Sequence, residues 1–164
     1  MGKITELYNS GEYETFIKLA ENELNNTEND FEFFLALSNA YGNLGNYDKT
    51  FYYAEKLLEK EPTNYYALLA LGNYYFVLEK LDSAEFYYNK VLSINPNYAR
   101  ANLNLAQLFV KKGEKNKAIE QYIKAIELFN QNNFEDEVLL YSKEVLKLDP
   151  ENKIAKEYID KLKM

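Results

Sequence analysis

Hydrophobic and polar positions along this chain repeat with two periods at once. The shorter is helical: Leu68, Leu71, Gly72 and Tyr75 recur at i, i+3, i+4, i+7, and after a short break Ala84, Tyr88, Val91 and Leu92 do the same. That spacing puts each set on one face of an α-helix. The longer period is 34 residues and is carried by several series in one phase. Pro62 and Pro96 form one, and Gly11, Gly45 and Gly113 another, with Glu79 on the remaining rung. Leu7, Tyr41, Tyr75 and Phe109 form a third, and Leu24, Leu58, Leu92 and Ile126 a fourth. A period of 20–50 residues marks stacked supersecondary units. Two short helices cannot bury an apolar face alone, so each unit must pack on its neighbours.

Taken in order, the pattern predicts a short helix over Lys3–Asn9, turned by Ser10-Gly11. A second covers Glu12–Asn26, with Phe16, Ala20, Glu23 and Leu24 in the slots of a truncated first repeat. Asn25–Asp30 reads as a loop, rich in side chains that hydrogen-bond locally. Three complete repeats are expected at 31–64, 65–98 and 99–132, after a partial one at 1–30. Their helices fall near Asp30–Leu44, Tyr47–Lys60, Tyr98–Lys112 and Lys115–Gln131, besides the pair within Tyr65–Tyr98. Asn95-Pro96 ends a helix, because the residue before proline is pushed out of the α region.

The period then breaks: Pro150 follows Pro96 by 54 residues, which is 34 plus 20. A shared helix accounts for this. Lys115–Gln131 carries second-helix residues (Ala118, Tyr122, Ala125) and also first-helix spacing (Tyr122, Ala125, Ile126, Phe129). Gln131-Asn132-Asn133 turns it, and Phe134–Leu148 is its antiparallel mate, with Val138, Val145 and Leu146 inward. An amphipathic helix over Glu151–Lys163 completes residues 133–164 as a hairpin helix and cap, with 1–164 a single domain.

Small residues recur where helices must approach closely: Ser38, Gly72 and Ala106 in first helices, Thr50, Ala84 and Ala118 in second helices. Such contacts bring axes toward the lower end of the usual 8–10 Å. With Leu68, Leu71-Gly72, Tyr75, Ala84, Tyr88 and Pro96, the unit 65–98 resembles the tetratricopeptide repeat. The next copy matches at Leu105-Ala106, Phe109, Gly113, Ala118, Tyr122 and Ala125. The preceding copy matches at Phe34, Leu37-Ser38, Tyr41, Gly45, Leu57 and Pro62, and departs at Thr50 and Ala54. Glu79 departs from the family's glycine. The resemblance implies an all-α, right-handed α-α superhelix of about ten antiparallel helices.

Composition narrows the function. The 164 residues include no Cys and no His, which excludes disulfides, thiol chemistry, Cys/His zinc sites and any triad needing an imidazole. Residues 1–61 hold 12 acidic and 5 basic side chains (5 − 12 = −7), and 62–164 hold 14 of each, so the whole formal charge of −7 lies in the first part. Duplex binding needs a basic face to release counterions, so no nucleic-acid partner is expected. Paired tyrosines such as Tyr52-Tyr53 and Tyr87-Tyr88 invite base stacking, but there is no basic groove to go with them. No run approaches 18 apolar residues, the start has no signal-peptide core, and Glu6 occupies the position where a myristoylation motif wants Ser or Thr. A cytoplasmic protein without a membrane partner is expected.

Nothing assembles a catalytic constellation or a phosphate loop, and no cofactor is expected. Glu135-Asp136-Glu137 cannot share one site, since consecutive helical residues point about 100° apart. Acids at the start of a helix are instead favoured by its dipole. In a stacked array the outer face of each first helix lines the concave surface. That face reads Glu32, Leu35, Ala36, Asn39, Asn43; then Tyr66, Leu69, Ala70, Asn73, Val77; then Arg100, Leu103, Asn104, Gln107, Lys111. Asn39, Asn73 and Gln107 are 34 apart, a row of amides that offer both donor and acceptor to an extended peptide backbone. The resemblance implies that mode of peptide binding. It also brings a two-carboxylate clamp for acidic chaperone tails, which only Asn39, Arg100 and Asn104 match, because Leu35, Ala36 and Ala70 stand where the clamp needs basic residues and an Asn.

A non-enzymatic scaffold that binds a protein or peptide in the groove is therefore expected, with the acidic part of the partner near Arg100 and Lys111. The alternatives are a sensor or inhibitory module for a signalling peptide or small ligand, and a self-assembling structural piece. A monomer is expected, with the terminal helix the place where a homodimer would form.

Overall fold

The computed structural model describes residues 2–24 and 31–162, and side chains from Thr5 and from Phe33 in those stretches. The expected loop Asn25–Asp30 and the side chains of Ile4, Glu32 and Lys163 lie outside the described residues. Among the described residues there are ten α-helices and no strand. They are α1 (Gly2–Asn9), α2 (Tyr13–Leu24), α3 (Phe31–Asn43), α4 (Tyr47–Lys60), α5 (Tyr65–Val77), α6 (Leu81–Ile94), α7 (Ala99–Lys112), α8 (Lys115–Gln131), α9 (Glu135–Leu148) and α10 (Lys153–Lys161). Two compact units result, residues 1–80 with α1–α5 and residues 81–164 with α6–α10.

The 34-residue lattice has a stereochemical origin in the turns. Gly11, Gly45 and Gly113 all adopt left-handed φ, and so does Glu79 (φ 59°) on the same rung. The amide after each of them donates back across the turn: Glu12 to Leu7 O, Asn46 to Tyr41 O, Lys80 to Tyr75 O and Glu114 to Phe109 O, at 2.8–3.0 Å. This is the Schellman closure, in which a left-handed residue lets the chain satisfy a late helical carbonyl. The acceptors are the residues of one apolar series. A fifth turn follows the rule off the lattice, with Asn133 at φ 59° and Phe134 N donating to Phe129 O.

Within the first unit, α1 packs on α2, α2 on α3, α3 on α4 and α4 on α5, and α3 also lies beside α5. Phe16, Ile17, Ala20, Leu37, Ala40 and Tyr53 form one cluster of its core, and Ala54, Leu57, Leu68 and Leu71 are buried besides. The small residues allow the close approach expected of them: Ser38 and Thr50 are both buried, and Ser38 Oγ donates to Thr50 O at 3.0 Å. Thr50 is tolerated in a slot that suits alanine because its own hydroxyl bonds back to Asn46 O.

In the second unit α8 is one continuous helix that packs on α7 and on α9, as the shared-helix reading requires. Ala118, Tyr122, Ala125 and Ile126 are buried, and Leu103, Ala106, Val138, Val145 and Ala155 complete the cluster around them. The last helix is shorter than the sequence suggests. Asn152 N bonds to Asp149 O, making a turn around Pro150, and the Asn152 side chain caps Ala155 N at 3.1 Å, so α10 begins at Lys153 rather than Glu151.

Candidate interaction surface

The first-helix faces are built separately in the two units. In the first unit α3 carries Leu35, Ala36 and Asn39 half-buried and Asn43 exposed, and the Asn43 amide donates to Asn39 O at 2.9 Å. On α5, beside it, Tyr66 is 41% exposed, Val77 43%, and Asn73 is exposed between them. The 66, 73, 77 spacing keeps all three on one side of the helix. Leu69 lies on that side too but is only 7% exposed, and Ala70 is buried. α5 has α3 and α4 against it, so its middle turn has little free surface. The Tyr65 ring leans on Tyr66 at 4.2 Å and fixes where that aromatic surface sits. Asn39 and Asn73 thus belong to neighbouring helices of one unit. The Glu32 side chain is outside the described residues.

In the second unit Arg100, Gln107 and Lys111 are exposed along α7, and Leu103 is buried at 7%. Asn104 is half-buried, and its amide hydrogen-bonds the hydroxyl of buried Tyr88 on α6. Burial holds the Tyr88 hydroxyl above its ordinary range, and the Asn104 bond partly offsets that. Asn104 therefore ties α6 to α7. In the last turn of α7 Lys112 bridges Asp82 at 2.7 Å and Glu85 at 2.6 Å, both on α6, and those bonds push its ammonium upward in pKa.

One polar cluster was not visible in the repeat pattern. Glu21 on α2 accepts from Tyr53 Oη at 2.7 Å and Tyr41 Oη at 2.8 Å, with Lys49 Nζ at 3.7 Å. Burial pushes the Glu21 carboxyl up, but the two hydroxyls and Lys49 together outweigh it and hold the group below the usual range. Burial and the Glu21 bond in turn push the Tyr41 hydroxyl up to about 12 and Tyr53 higher still. The Tyr41 and Tyr53 rings stack at 5.8 Å, with the Lys49 ammonium 5.8 Å from each. Of Glu21, Tyr41 and Tyr53 only Tyr41 stands in a lattice series; a buried Tyr O–H usually finds a partner, but nothing in the period points to Glu21 as that partner.

Glu135, Asp136 and Glu137 occupy the first turn of α9, where the dipole favours them. Among the described residues no cluster of Asp or Glu is arranged to hold a metal ion, and no helix is long and apolar enough to cross a membrane.

Residues 65–98 and 99–132 each match a family model described as a tetratricopeptide repeat. Among solved structures the fold is similar to MamA (TM-score 0.72, 21% identity, covering 99% of this chain and 93% of that one). It is also similar to MamA 41-end from Desulfovibrio magneticus RS-1 (TM-score 0.77, 21% identity, 99% and 90%). A thermophilic TPR protein in Thermus thermophilus matches with a TM-score of 0.68 and 20% identity over 100% of this chain and 97% of that one. A comparison with the sequences of curated proteins gives no match. At these identities the structural likeness speaks to the fold, an all-α solenoid of helix pairs.

Proposed function

Since the chain is a tetratricopeptide repeat protein, and so of the protein-interaction scaffold type, we propose that it works without catalysis by holding extended segments of partner protein on the first-helix face of each unit. The observation that carries this is the open strip of α5, where Tyr66 and Val77 leave apolar surface in solvent with the Asn73 amide between them. A large aromatic beside an aliphatic side chain supplies an anchor, and an amide supplies both a donor and an acceptor for a peptide backbone. On α7, Arg100 and Lys111 are exposed cations that suit an acidic part of the partner, and Gln107 offers a further amide. Asn39, Leu69 and Asn104 contribute as walls and supports, since they are half-buried or buried.

The test is affinity capture with the full chain, followed by calorimetric titration of the captured partner against variants. Tyr66→Ala costs about 2 kcal/mol of binding if it is an anchor, and Asn73→Ala about 1–2 kcal/mol by leaving backbone groups unpaired. Arg100→Glu mainly slows association and changes its salt dependence. A partner that binds all three variants like the parent rules out these faces.

A further inference from the structure

Lys49 stands in the first turn of α4, and Tyr52 and Tyr53 follow it by three and four residues, so the three share one side of that helix. Packing brings Tyr41 from α3 and Glu21 from α2 to the same place. The Lys49 ammonium lies over the Tyr41, Tyr52 and Tyr53 rings, 5.8 Å from each centroid, and 3.7 Å from Glu21 Oε1. A carboxylate and three electron-rich rings around one point make a receptor for a cation. We propose that Glu21, Tyr41, Tyr52 and Tyr53 form a binding site for a trimethylammonium group of an outside ligand, and that Lys49 is the tethered occupant which that group displaces.

The primary ammonium of Lys49 fits this place poorly. An ammonium is strongly hydrated and carries three donors. Glu21 Oε1 already accepts from both tyrosine hydroxyls, at 2.7 and 2.8 Å, and 3.7 Å is longer than an ordinary hydrogen bond. The ring faces attract the charge but leave its N–H groups without acceptors. A trimethylammonium group has no N–H to satisfy and spreads the same charge over its methyl groups. It therefore gains the rings and the carboxylate at a lower desolvation cost. The site is open to solvent: Tyr52 is 51% exposed, and the Lys49 and Glu21 side chains are 48% and 35% exposed. An ion pair so exposed holds its lysine weakly. None of these residues is among those proposed above to hold a partner segment, so the site stands independently of that reading.

NMR titration of the full chain with choline, against sodium chloride at equal ionic strength, tests this through the tyrosine ring signals. Saturable shifts of Tyr41, Tyr52 and Tyr53 are expected. Lys49→Met keeps the stem and removes the competing charge, and is expected to bind about three- to tenfold tighter. Tyr52→Phe keeps a ring at a half-exposed position and should leave the affinity unchanged, whereas Tyr52→Leu should lower it about threefold or more at an unchanged melting temperature. A short peptide carrying one trimethyllysine is titrated in parallel. Tighter binding of the peptide assigns the group to a modified protein, and tighter binding of choline assigns it to a small molecule; either supports the site. Three results overturn it: no saturable shift even in Lys49→Met, equal binding of the neutral isostere of choline in which carbon replaces nitrogen, or Tyr52→Leu binding like the parent.

Discussion

Glu79→Gly is expected to stabilise the protein, and the turn geometry gives the size of the effect. Glu79 sits at φ 59°, where Gly11, Gly45 and Gly113 occupy the equivalent turns. A side chain in the left-handed region costs roughly 1–2 kcal/mol, from Cβ against the following carbonyl. Glycine offsets about 0.5–1 kcal/mol of that through the greater freedom of its unfolded chain. The net gain is about 0.5–1 kcal/mol, reduced by whatever the Glu79 side chain contributes, since it is not without a partner. For a chain of this length that corresponds to a melting temperature higher by about 1–4 °C. The reciprocal change isolates the backbone. A Cβ built on Gly113 meets nothing within 4 Å, so Gly113→Ala adds no clash and is expected to cost about 1 kcal/mol from conformation alone. Asn133→Gly should gain less than Glu79→Gly, because Asn tolerates the left-handed region better. Urea unfolding followed by circular dichroism measures all three, with an unchanged m-value showing that stability alone has moved. If Glu79→Gly lowers the midpoint while Gly113→Ala leaves it in place, left-handed strain does not govern these turns and the reading of the glycine lattice is wrong.

Four further outcomes are expected. Glu21→Gln should lose about 1–2 kcal/mol at neutral pH by replacing two bonds to a carboxylate with weaker ones, seen in urea midpoints; an unchanged midpoint would remove Glu21 from the supports of α2. The raised hydroxyl of Tyr41, about 12 against an ordinary 10.0, means that the folded state holds this proton more tightly. Its stability is fully present below pH 10 and is lost as pH rises from 10 to 12. Tyrosinate absorbance and circular dichroism recorded together should therefore show a fraction of the tyrosines ionising only with unfolding; the Glu21 carboxyl, held low, contributes above the ordinary carboxylate range and loses its share as pH falls through its depressed value. Ser142 is fully buried and its Oγ has no partner among the described residues, so Ser142→Ala should stabilise by about 1 kcal/mol, read as a higher urea midpoint. Ile126→Ala should cost about 2–4 kcal/mol in the same assay, because that fully buried side chain on α8 packs in one cluster with Val138 and Val145.

The helices and their turns were legible in the chain of residues alone. Both are set by local rules that repeat: apolar spacing for the helices, glycine or its substitute at the left-handed position, and the residue before proline at the next boundary. That is why the 34-residue lattice could be read without a structure, and why Glu79 could be placed on an empty rung. The shared helix α8 was legible for the same reason, since both of its faces are written in one stretch of residues. What each exposed-looking position is free to do was settled only by packing. Leu69 and Leu103 fall on the outward spacing yet are buried at 7%, because neighbouring helices cover them. Asn104 reads as a groove amide, but its bond goes to the hydroxyl of Tyr88, a residue sixteen positions earlier on another helix. Glu21 gave no signal at all in the periodicity, because its partners Tyr41 and Tyr53 come from two other helices and meet it only when three elements pack. A periodic pattern specifies which side of a helix turns inward; how much of the other side stays in water depends on which neighbours arrive, and no local rule records that.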